Sequence, residues 1–396
     1  MTQFVQRTNV ARRRVLKISR DFVMLFGAVA FLCFVACSSL TQADDAAFQL
    51  TSEGGARVYL DGKFFAEYRP DFRGTPIVWP ICAPNQSLAT RAWPMIDALK
   101  PGDFEDREMR EIYQNAIISE RGGVKDHPHH RSMWFNHGNV NRGDFWGGTP
   151  SVIVQTKLVS VEKVGKNVVL KTENVWKNDK ENRDDCSDKR ALVFGKLDCD
   201  KDVRFIDFAI EITALHDNVV FGDTKEGSFG LRVPSPTAAT SKKLSPQWGG
   251  AILNSLGDKD ADAWGKQAKW VDYVGPAERF LSGDELENVW KNGDEDDRNF
   301  PLTTIGIAVL DGPSSLGALP RRHVRDYGLF ADNPFGEKDF DPKSKKDGSV
   351  KLNANETMTF HFRVLFHNGD LSPEDLNRIA KDYDASFNEN SNPNDK

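Results

Sequence analysis

The sequence lacks a surplus of basic residues, because 52 Lys and Arg stand against 58 Asp and Glu over 396 positions. A nucleic-acid site needs clustered Lys and Arg for phosphate contacts, so we expect no nucleic-acid partner. Internal repeats, heptads, Pro/Ser-rich linkers and phosphate-binding Gly-rich loops are missing from the sequence as well. The simplest interpretation is one large domain, of a size that all-β proteins reach without dividing.

The basic residues that are present cluster at the N-terminus. Six of them precede an uncharged run from Phe22 to Ala36. This run is short for a membrane span and small polar residues follow it, so residues 1–43 predict a cleaved secretory signal and a periplasmic or extracellular protein. Arg12 to Arg14 leave twin-arginine export open, and Cys37 leaves a lipid anchor open. The remainder has 46 Lys and Arg against 57 Asp and Glu, and no apolar run that could span a membrane.

Cysteine is scarce too. Beyond the predicted signal, the sequence contains Cys82, Cys186 and Cys199 and no other cysteine. Export would allow Cys186 and Cys199 to pair and to close a local hairpin, with Cys82 left over.

What the chain does have is alternation of apolar and polar residues. Five stretches rich in β-branched and aromatic residues show it: Ser151 to Val164, Val168 to Trp176, Val203 to Leu215, Thr303 to Leu310 and Thr357 to Phe366. A period of two directs one row of side chains to a core and the other to water or a cleft. The pattern predicts an all-β fold, a large antiparallel β-sandwich formed by residues 44–387.

The sequence predicts one C-terminal helix, from Ser372 to Tyr383. Ser372 is a suitable N-cap, and a proline follows it in the first turn. The polar residues 388–396 predict a disordered tail. Three charged stretches predict surface loops: Lys177 to Arg190, Asn292 to Arg298 and Glu337 to Gly348.

Four of the eight histidines fall within eleven positions, at 127, 129, 130 and 137. Imidazole titrates near neutral pH and is the commonest metal ligand. Three interpretations stay open: acid–base or hydrogen-bonding groups for a substrate, a metal site, or structural histidines in a polar core. In an extended backbone His127 and His129 project to one side and His130 to the other, so their convergence requires a turn.

Charged and aromatic residues accompany these histidines. Arg131 suits either a ligand carboxylate or a structural acid. Trp134 and Trp146 supply aromatic walls in an otherwise polar region. Sugars present both hydroxyls and apolar CH faces, so the mixture favours a carbohydrate ligand.

Three later stretches carry further candidates. In Gly222 to Arg232, Glu226 is either a general base or metal-binding carboxylate, or part of a solvated turn. Trp270 either walls a ligand cleft or packs in the core. In the stretch that starts at His323, alternation places His323, Arg325 and Tyr327 on one face, as a binding row or as a surface strand.

Five blocks occur in a fixed order: HPHHRSMWFNHG with a downstream DFW, FGDTKEGSFGLRV, NSLG, WGKQAKWVDY and HVRDYGLFADNPFG. Together they resemble the PmoA-like family of exported bacterial proteins, over nearly all of the chain beyond the predicted signal. The resemblance implies a galactose-mutarotase-like supersandwich, a fold shared by sugar epimerases and glycoside-processing enzymes. In that family the loop after the strand that ends here at Leu310 usually reads Asp-His-Pro, whereas in this chain Gly312 follows Asp311.

The sequence therefore predicts an exported carbohydrate-active protein, mutarotase-like, epimerase-like or glycoside-processing, with a small-molecule or oligosaccharide substrate. The expected acid–base groups are His129, His130, His137, Glu226 and His323. The expected sugar-binding residues are Arg131, Trp134, Trp146, Arg232, Trp270 and Arg325.

Two alternatives stay open. A metal-dependent enzyme, such as the oxygenase that the family name suggests, would use some of His127, His129, His137 and Glu226. A non-catalytic sugar-binding protein would use the same cleft without turnover. The sequence names no cofactor for any of these functions.

Overall fold

The computed structural model describes residues 45–99, 106–147, 150–292 and 300–389, so the predicted signal lies outside the described residues. Within these ranges, two antiparallel eight-stranded sheets pack face to face, and a two-stranded sheet accompanies them. The predicted all-β class and the large antiparallel sandwich are confirmed. The small sheet consists of β10 (Val219–Phe221) and β17 (Val350–Leu352).

The first sheet contains, from edge to edge, β1 (Ala46–Leu50), β2 (Ala56–Leu60), β3 (Lys63–Arg69), β4 (Ile77–Ile81), β5 (Met133–His137), β11 (Gly227–Arg232), β16 (Leu329–Asn333) and β15 (Arg321–Val324). Strand β11 pairs with β5 on one side and with β16 on the other. This order makes three segments that are distant in the sequence neighbours in one sheet.

The second sheet contains, from edge to edge, β12 (Ala251–Asn254), β13 (Trp270–Glu278), β14 (Leu302–Asp311), β18 (Thr357–His367), β9 (Arg204–Ala214), β8 (Arg183–Lys196), β7 (Asn167–Asn178) and β6 (Val152–Val164). Five of these strands match the predicted alternating stretches to within two residues. In β9 the apolar row of Ile206, Phe208, Ile210 and Ile212 is buried, as its period of two indicates.

The core lies between the two sheets and is rich in aromatic rings. Phe135 of β5 stacks on Phe208 of β9, with 6.0 Å between ring centroids. Phe229 of β11 stacks on Phe362 of β18 at 4.5 Å. Burying one such side chain stabilises the fold by about 2–3 kcal/mol, so the paired rows hold the sheets together.

A buried ion cluster also joins the sheets. Arg322 of β15 pairs with Asp332 of β16 in the first sheet and with Asp311 at the end of β14 in the second. The guanidinium also donates to the carbonyl oxygens of Ala268 and Lys269. Burial raises the pKa of Asp311 well above its ordinary value.

Three α-helices occur in the described ranges: α1 (Arg107–Ile118), α2 (Gly283–Asn292) and α3 (Pro373–Glu389). Helix α3 begins as predicted, after the Ser372 cap, but it continues past Tyr383 into the segment predicted to be disordered. Residues 390–396 of that segment lie outside the described part of the chain. Helices α1 and α2 were not predicted, because each has only a short apolar stripe that charged residues interrupt in the sequence.

The predicted loop from Lys177 to Arg190 is wrong, because most of it belongs to β7 and β8. Asp188 and Arg190 point into the sandwich as a buried pair 3.0 Å apart, and Asp188 also accepts from the Trp176 indole at 2.7 Å. Opposite charges that satisfy each other can occupy core positions, which a hydropathy pattern does not show. The predicted loop at 337–348 is confirmed, and residues 293–298 lie outside the described ranges.

The three described cysteines are free thiols, so the pairing of Cys186 with Cys199 that export would allow is not formed. Cys186 is buried in β8, which then runs on to Lys196. Ten residues of extended strand cover roughly 33 Å, whereas a disulfide requires Cα atoms within about 7 Å.

Candidate functional site

A cavity of about 500 Å³ lies on the outer face of the first sheet, the face turned away from the inter-sheet core. Its lining residues are His127, His129, His130, Gly138, Asp144, Trp146, Gly147, Lys225, Glu226, His323, Arg325 and Tyr327. Six predicted site residues therefore share one cavity: His129, His130, Trp146, Glu226, His323 and Arg325. The pairing of β5, β11 and β16 is what assembles them.

The histidine-rich stretch enters the cavity as a tight turn. His127 has a left-handed φ of 49°, and its carbonyl oxygen accepts from the amide of His130 at 3.0 Å. The turn brings three imidazoles together, since His130 stacks on His127 at 4.8 Å and His129 meets His130 edge-on at 4.6 Å. Tyr327 stacks on this group as well, 5.0 Å from His127 and 6.4 Å from His130 between ring centroids.

Asp126 holds this turn in place through its contact with His127, a role that the sequence did not indicate. Its carboxylate accepts from Arg91 at 2.8 Å, from Arg232 at 2.7 Å and from Nδ1 of His127 at 3.0 Å. Burial opposes ionisation, but the two guanidinium groups prevail and lower the pKa of Asp126.

The tautomer of His130 is set by Arg232. Nη1 of Arg232 lies 3.0 Å from Nδ1 of His130, and a guanidinium can only donate. Nδ1 must therefore carry the lone pair, and the ring proton is on Nε2. Burial, followed by the charge of Arg232, holds the pKa of His130 well below its ordinary value, so the ring is neutral at neutral pH. His130 thus offers the cavity an N–H donor.

His323 has the opposite tautomer. Its Nδ1 lies 2.9 Å from the carbonyl oxygen of Lys225, which can only accept. The proton is therefore on Nδ1 and the lone pair is on Nε2. Burial lowers the pKa of His323 to about 4, so this ring is also neutral at neutral pH. His323 offers the cavity an acceptor.

Glu226 supplies the carboxylate at the start of β11. Its side chain is 36% exposed and pairs with Nζ of Lys225 at 2.8 Å. The backbone is held by Gly138, whose amide donates to the Glu226 carbonyl oxygen at 2.7 Å. Burial and His127 lower the pKa of His129, whereas the charge of Glu226 raises it. Glu226 and His129 therefore act on each other electrostatically.

Aromatic rings surround these polar groups. Trp146 lies 5.9 Å from His130 and 6.5 Å from His129 between ring centroids. Trp264 lies 6.4 Å from His323 on the other side. Apolar faces next to donors and acceptors form the combination that a sugar ring requires.

Three predicted binding residues lie beneath the cavity lining. Trp134 is buried and stacks under His130 at 5.6 Å. Arg232 is buried and contacts His130. Arg131 is buried and donates to Oγ1 of Thr75 at 2.6 Å and to the carbonyl oxygen of Gly147 at 3.3 Å. These side chains position the lining residues and do not line the cavity themselves.

His137 does not join the predicted acid–base group. Its Nε2 lies 2.8 Å from the carbonyl oxygen of Gly222, and its Nδ1 lies 3.2 Å from Oγ of Ser228. Burial lowers its pKa to about 4. Because both ring nitrogens have protein partners inside the fold, this histidine is structural.

Trp270 does not wall the cavity either. It belongs to β13 of the second sheet and packs among the residues under α3. Its indole Nε1 donates to Oδ1 of Asn377 at 2.8 Å. The outward row of β13 faces the C-terminal helix, and the tryptophan next to His323 is Trp264, which contacts that histidine without lining the cavity.

No group of three or more His, Cys, Asp and Glu side chains in the described ranges is arranged to hold a metal ion. Of the set considered for a metal, His127, His129 and Glu226 share the cavity, while His137 is bonded elsewhere. In the same ranges, no helix has the length and apolar content needed to cross a membrane.

The chain belongs to the family described as "Family of unknown function (DUF6807)", which matches residues 55–381. No curated protein matches the sequence. A solved structure described as a putative kojibiose phosphorylase from human microbiome is 13% identical over 68% of this chain, with a TM-score of 0.20. The chain spans 27% of the length of that structure.

Proposed function

We propose that this protein is carbohydrate-active and performs acid–base chemistry on a sugar bound on the outer face of the first sheet. One observation carries the proposal: His130 and His323 present opposite tautomers of a neutral imidazole to one cavity. A sugar hydroxyl both donates and accepts, so an N–H donor and a lone-pair acceptor together fix its orientation. Trp146 and Tyr327 provide the apolar surfaces that its CH faces require.

Glu226 and His129 supply the proton transfers. Opening a reducing sugar requires a base at the anomeric hydroxyl and an acid at the ring oxygen. The Glu226 carboxylate takes the hydroxyl proton, and the bond between the anomeric carbon and the ring oxygen breaks. His129 gives its proton to that oxygen from its protonated form, which burial disfavours and the charge of Glu226 favours. Closure on the opposite face of the carbonyl returns both protons and inverts the anomeric carbon. In a glycoside, the same donor protonates the leaving oxygen.

The sequence features agree with this proposal. The resemblance to PmoA-like exported proteins, with a galactose-mutarotase-like supersandwich, supports a sugar as the substrate. The predicted secretory signal supports action outside the cytoplasm. Both remain part of the proposal.

The test measures exchange between anomers by NMR for a panel of reducing sugars, together with hydrolysis of aryl glycosides. Wild-type protein is compared with Glu226→Gln, and with Glu211→Gln as the matched control. Glu211 is another partly exposed carboxylate beside a lysine, 3.5 Å from Lys189 on the second sheet. We expect Glu226→Gln to lower kcat by about 100-fold or more with binding retained, and Glu211→Gln to behave as wild type.

Three results would contradict parts of the proposal. Full activity in Glu226→Gln removes Glu226 from the proton transfer. Binding of sugars without any turnover by the wild-type protein identifies a non-catalytic sugar-binding protein. Absence of sugar binding altogether rejects the carbohydrate assignment.

A further inference from the structure

Arg325 lines the cavity with unused hydrogen-bond donors. In the described part of the chain, each other arginine that is not exposed donates to a carboxylate, a hydroxyl or a carbonyl oxygen. Arg91, Arg232 and Arg322, for example, each pair with an aspartate. The guanidinium of Arg325 makes no hydrogen bond or ion pair with any described residue, although it is half-buried. Its five N–H donors therefore have no acceptor among the described residues.

Two aromatic rings lie next to this guanidinium. Its central carbon lies 5.8 Å from the ring centroid of Trp264 and 5.5 Å from that of Tyr327, above both rings. Aromatic contacts use the faces of the cation, whereas the N–H bonds lie in its plane. A planar carboxylate that approaches along that plane can accept two parallel hydrogen bonds.

Of the other charged groups around the cavity, Lys225, Glu226 and Asp126 have ion-pair partners. Lys225 pairs with Glu226 at 2.8 Å. Asp144, also in the lining, accepts from the Gly147 amide at 2.9 Å and forms no ion pair with a described residue. Asp126, below the histidine turn, is matched by Arg91 and Arg232. Arg325 is the lining cation without an ion pair in the described ranges, and a ligand carboxylate could supply that partner.

We infer that the ligand of this cavity is an acidic sugar whose carboxylate is bound by Arg325, which makes hexuronates and their short oligomers the substrate class. The inference rests on the proposed function, because it names the substrate of the same site. Arg325 is a specificity-determining residue in this assignment, while Glu226 and His129 retain the proton transfers.

The test is isothermal titration calorimetry with matched ligands. Galacturonate and glucuronate are compared with galactose and glucose, with the methyl esters of the same uronates, and with hexose 6-phosphates. We expect the uronates to bind at least 10-fold more tightly than the hexoses and the esters. Arg325→Gln should reduce uronate affinity to the hexose level, and Arg325→Lys should retain part of the difference. Arg142→Gln, which removes an exposed arginine paired with Glu181, is the control and should bind as wild type.

The outcomes separate this inference from the proposed function. Equal binding of uronates and hexoses, or an unchanged ratio in Arg325→Gln, overturns the inference and leaves the carbohydrate assignment intact. Tighter binding of hexose phosphates than of uronates overturns the carboxylate assignment. Binding of acetate and other simple carboxylates, with no affinity for any sugar, supports an anion site at Arg325 but rejects the proposed function. The comparison of uronates with their methyl esters uses the wild-type protein, so it tests the inference even if an Arg325 variant misfolds.

Discussion

The positions of the protons on two imidazole rings determine which hydrogen bonds the cavity can make with a ligand. Nε2 of His130 carries the proton because Arg232 donates to its Nδ1. Nε2 of His323 carries the lone pair because its Nδ1 donates to the carbonyl oxygen of Lys225. Two identical side chains thus acquire opposite functions from their neighbours. A change in either neighbour should therefore alter the site while every cavity residue stays in place.

Replacing Arg232 with Met tests this dependence. Loss of the nearby cation should raise the pKa of His130 and allow its proton to occupy either nitrogen. Asp126 keeps Arg91 as a partner, so we expect the free energy of unfolding to fall by only about 2 kcal/mol. Histidine ¹⁵N NMR across a pH titration measures both the tautomer and the pKa. Arg142→Met is the control, and unchanged His130 resonances in Arg232→Met would contradict the assigned tautomer.

Buried neutral histidines also make the stability depend on pH. His137 and His323 each have a folded-state pKa of about 4, whereas 6.5 is the ordinary value. Between these values the unfolded chain binds more protons, so the free energy of unfolding falls as the pH is lowered from 7 to 4. Each histidine contributes up to about 3 kcal/mol to this loss.

The variant His137→Gln isolates one of these contributions. Its stability should decline less steeply with falling pH, by up to about 1.4 kcal/mol per pH unit between pH 6 and pH 4.5. Denaturant unfolding at several pH values measures the slope. His361→Gln, in β18 of the second sheet, is the matched control for the substitution itself. Parallel curves for wild type and His137→Gln would show that His137 takes up its proton in the folded state.

The sequence predicted single cavity residues from local clusters of histidines, charged side chains and aromatic rings, as at His129, His130 and Glu226. His323, Arg325 and Tyr327 also line the cavity, but not as the predicted strand row, because β15 ends at Val324 and the other two lie in the turn before β16. Asp126 lacked any pattern, because its partners at positions 91 and 232 are distant in the chain. Trp270 was assigned to the cavity because a strand's period does not reveal which outer surface faces a ligand and which faces a helix.

At the scale of elements, two glycines allow the end of β5 to meet the start of β11. A Cβ on Gly138 would lie 2.7 Å from Cβ of Glu226 and 2.8 Å from its carbonyl oxygen. A Cβ on Gly227 would lie 2.4 Å from Nδ1 of His137. The turn that carries Glu226 is therefore fitted against β5 without space for a methyl group.

The substitution Gly138→Ala should displace this turn. We expect a loss of about 1–3 kcal/mol from overpacking and a larger effect on sugar turnover, because Glu226 leaves its position. Gly165→Ala is the control: it lies in an open hairpin turn with a φ of 59°, so it strains the backbone without touching the site. Denaturant unfolding and the anomer-exchange assay measure the two effects. Equal activity in both variants would contradict the fitted turn.

Elements were predictable where one apolar row was unbroken. Strands β9 and β18 show such rows, and their observed bounds match the expected ones closely. Strand β8 was missed because its inward row includes the charged pair Asp188 and Arg190. Helix α1 was missed although Met109, Ile112, Tyr113 and Ala116 follow helical spacing and are buried, because charged residues separate them.

At the scale of the whole molecule, the strand order could not be read from the sequence. The paired strands β5 and β11 are separated by about 90 residues, most of which belong to the second sheet. No local pattern specifies such a pairing, since it depends on how two complete sheets stack. The site therefore depends on long-range contacts that hold the first sheet in register with the second.

The cluster of Arg322, Asp311 and Asp332 is one such contact, and it lies next to His323 in the chain. Arg322→Met would leave two carboxylates buried without their shared cation, so we expect a loss of about 3–5 kcal/mol at pH 7. The folded-state pKa values of both carboxylates would then lie further above 3.8. The variant is therefore least stable where both acids are ionised, and it regains stability as the pH falls and they become protonated. The deficit relative to wild type should therefore shrink between pH 7 and pH 5 in denaturant unfolding.

The control is Arg107→Met, which removes an exposed pair with Glu111 and should cost no more than about 0.5 kcal/mol. If the loss of stability in Arg322→Met grew toward pH 5, the role of the guanidinium in neutralising the two carboxylates would be contradicted.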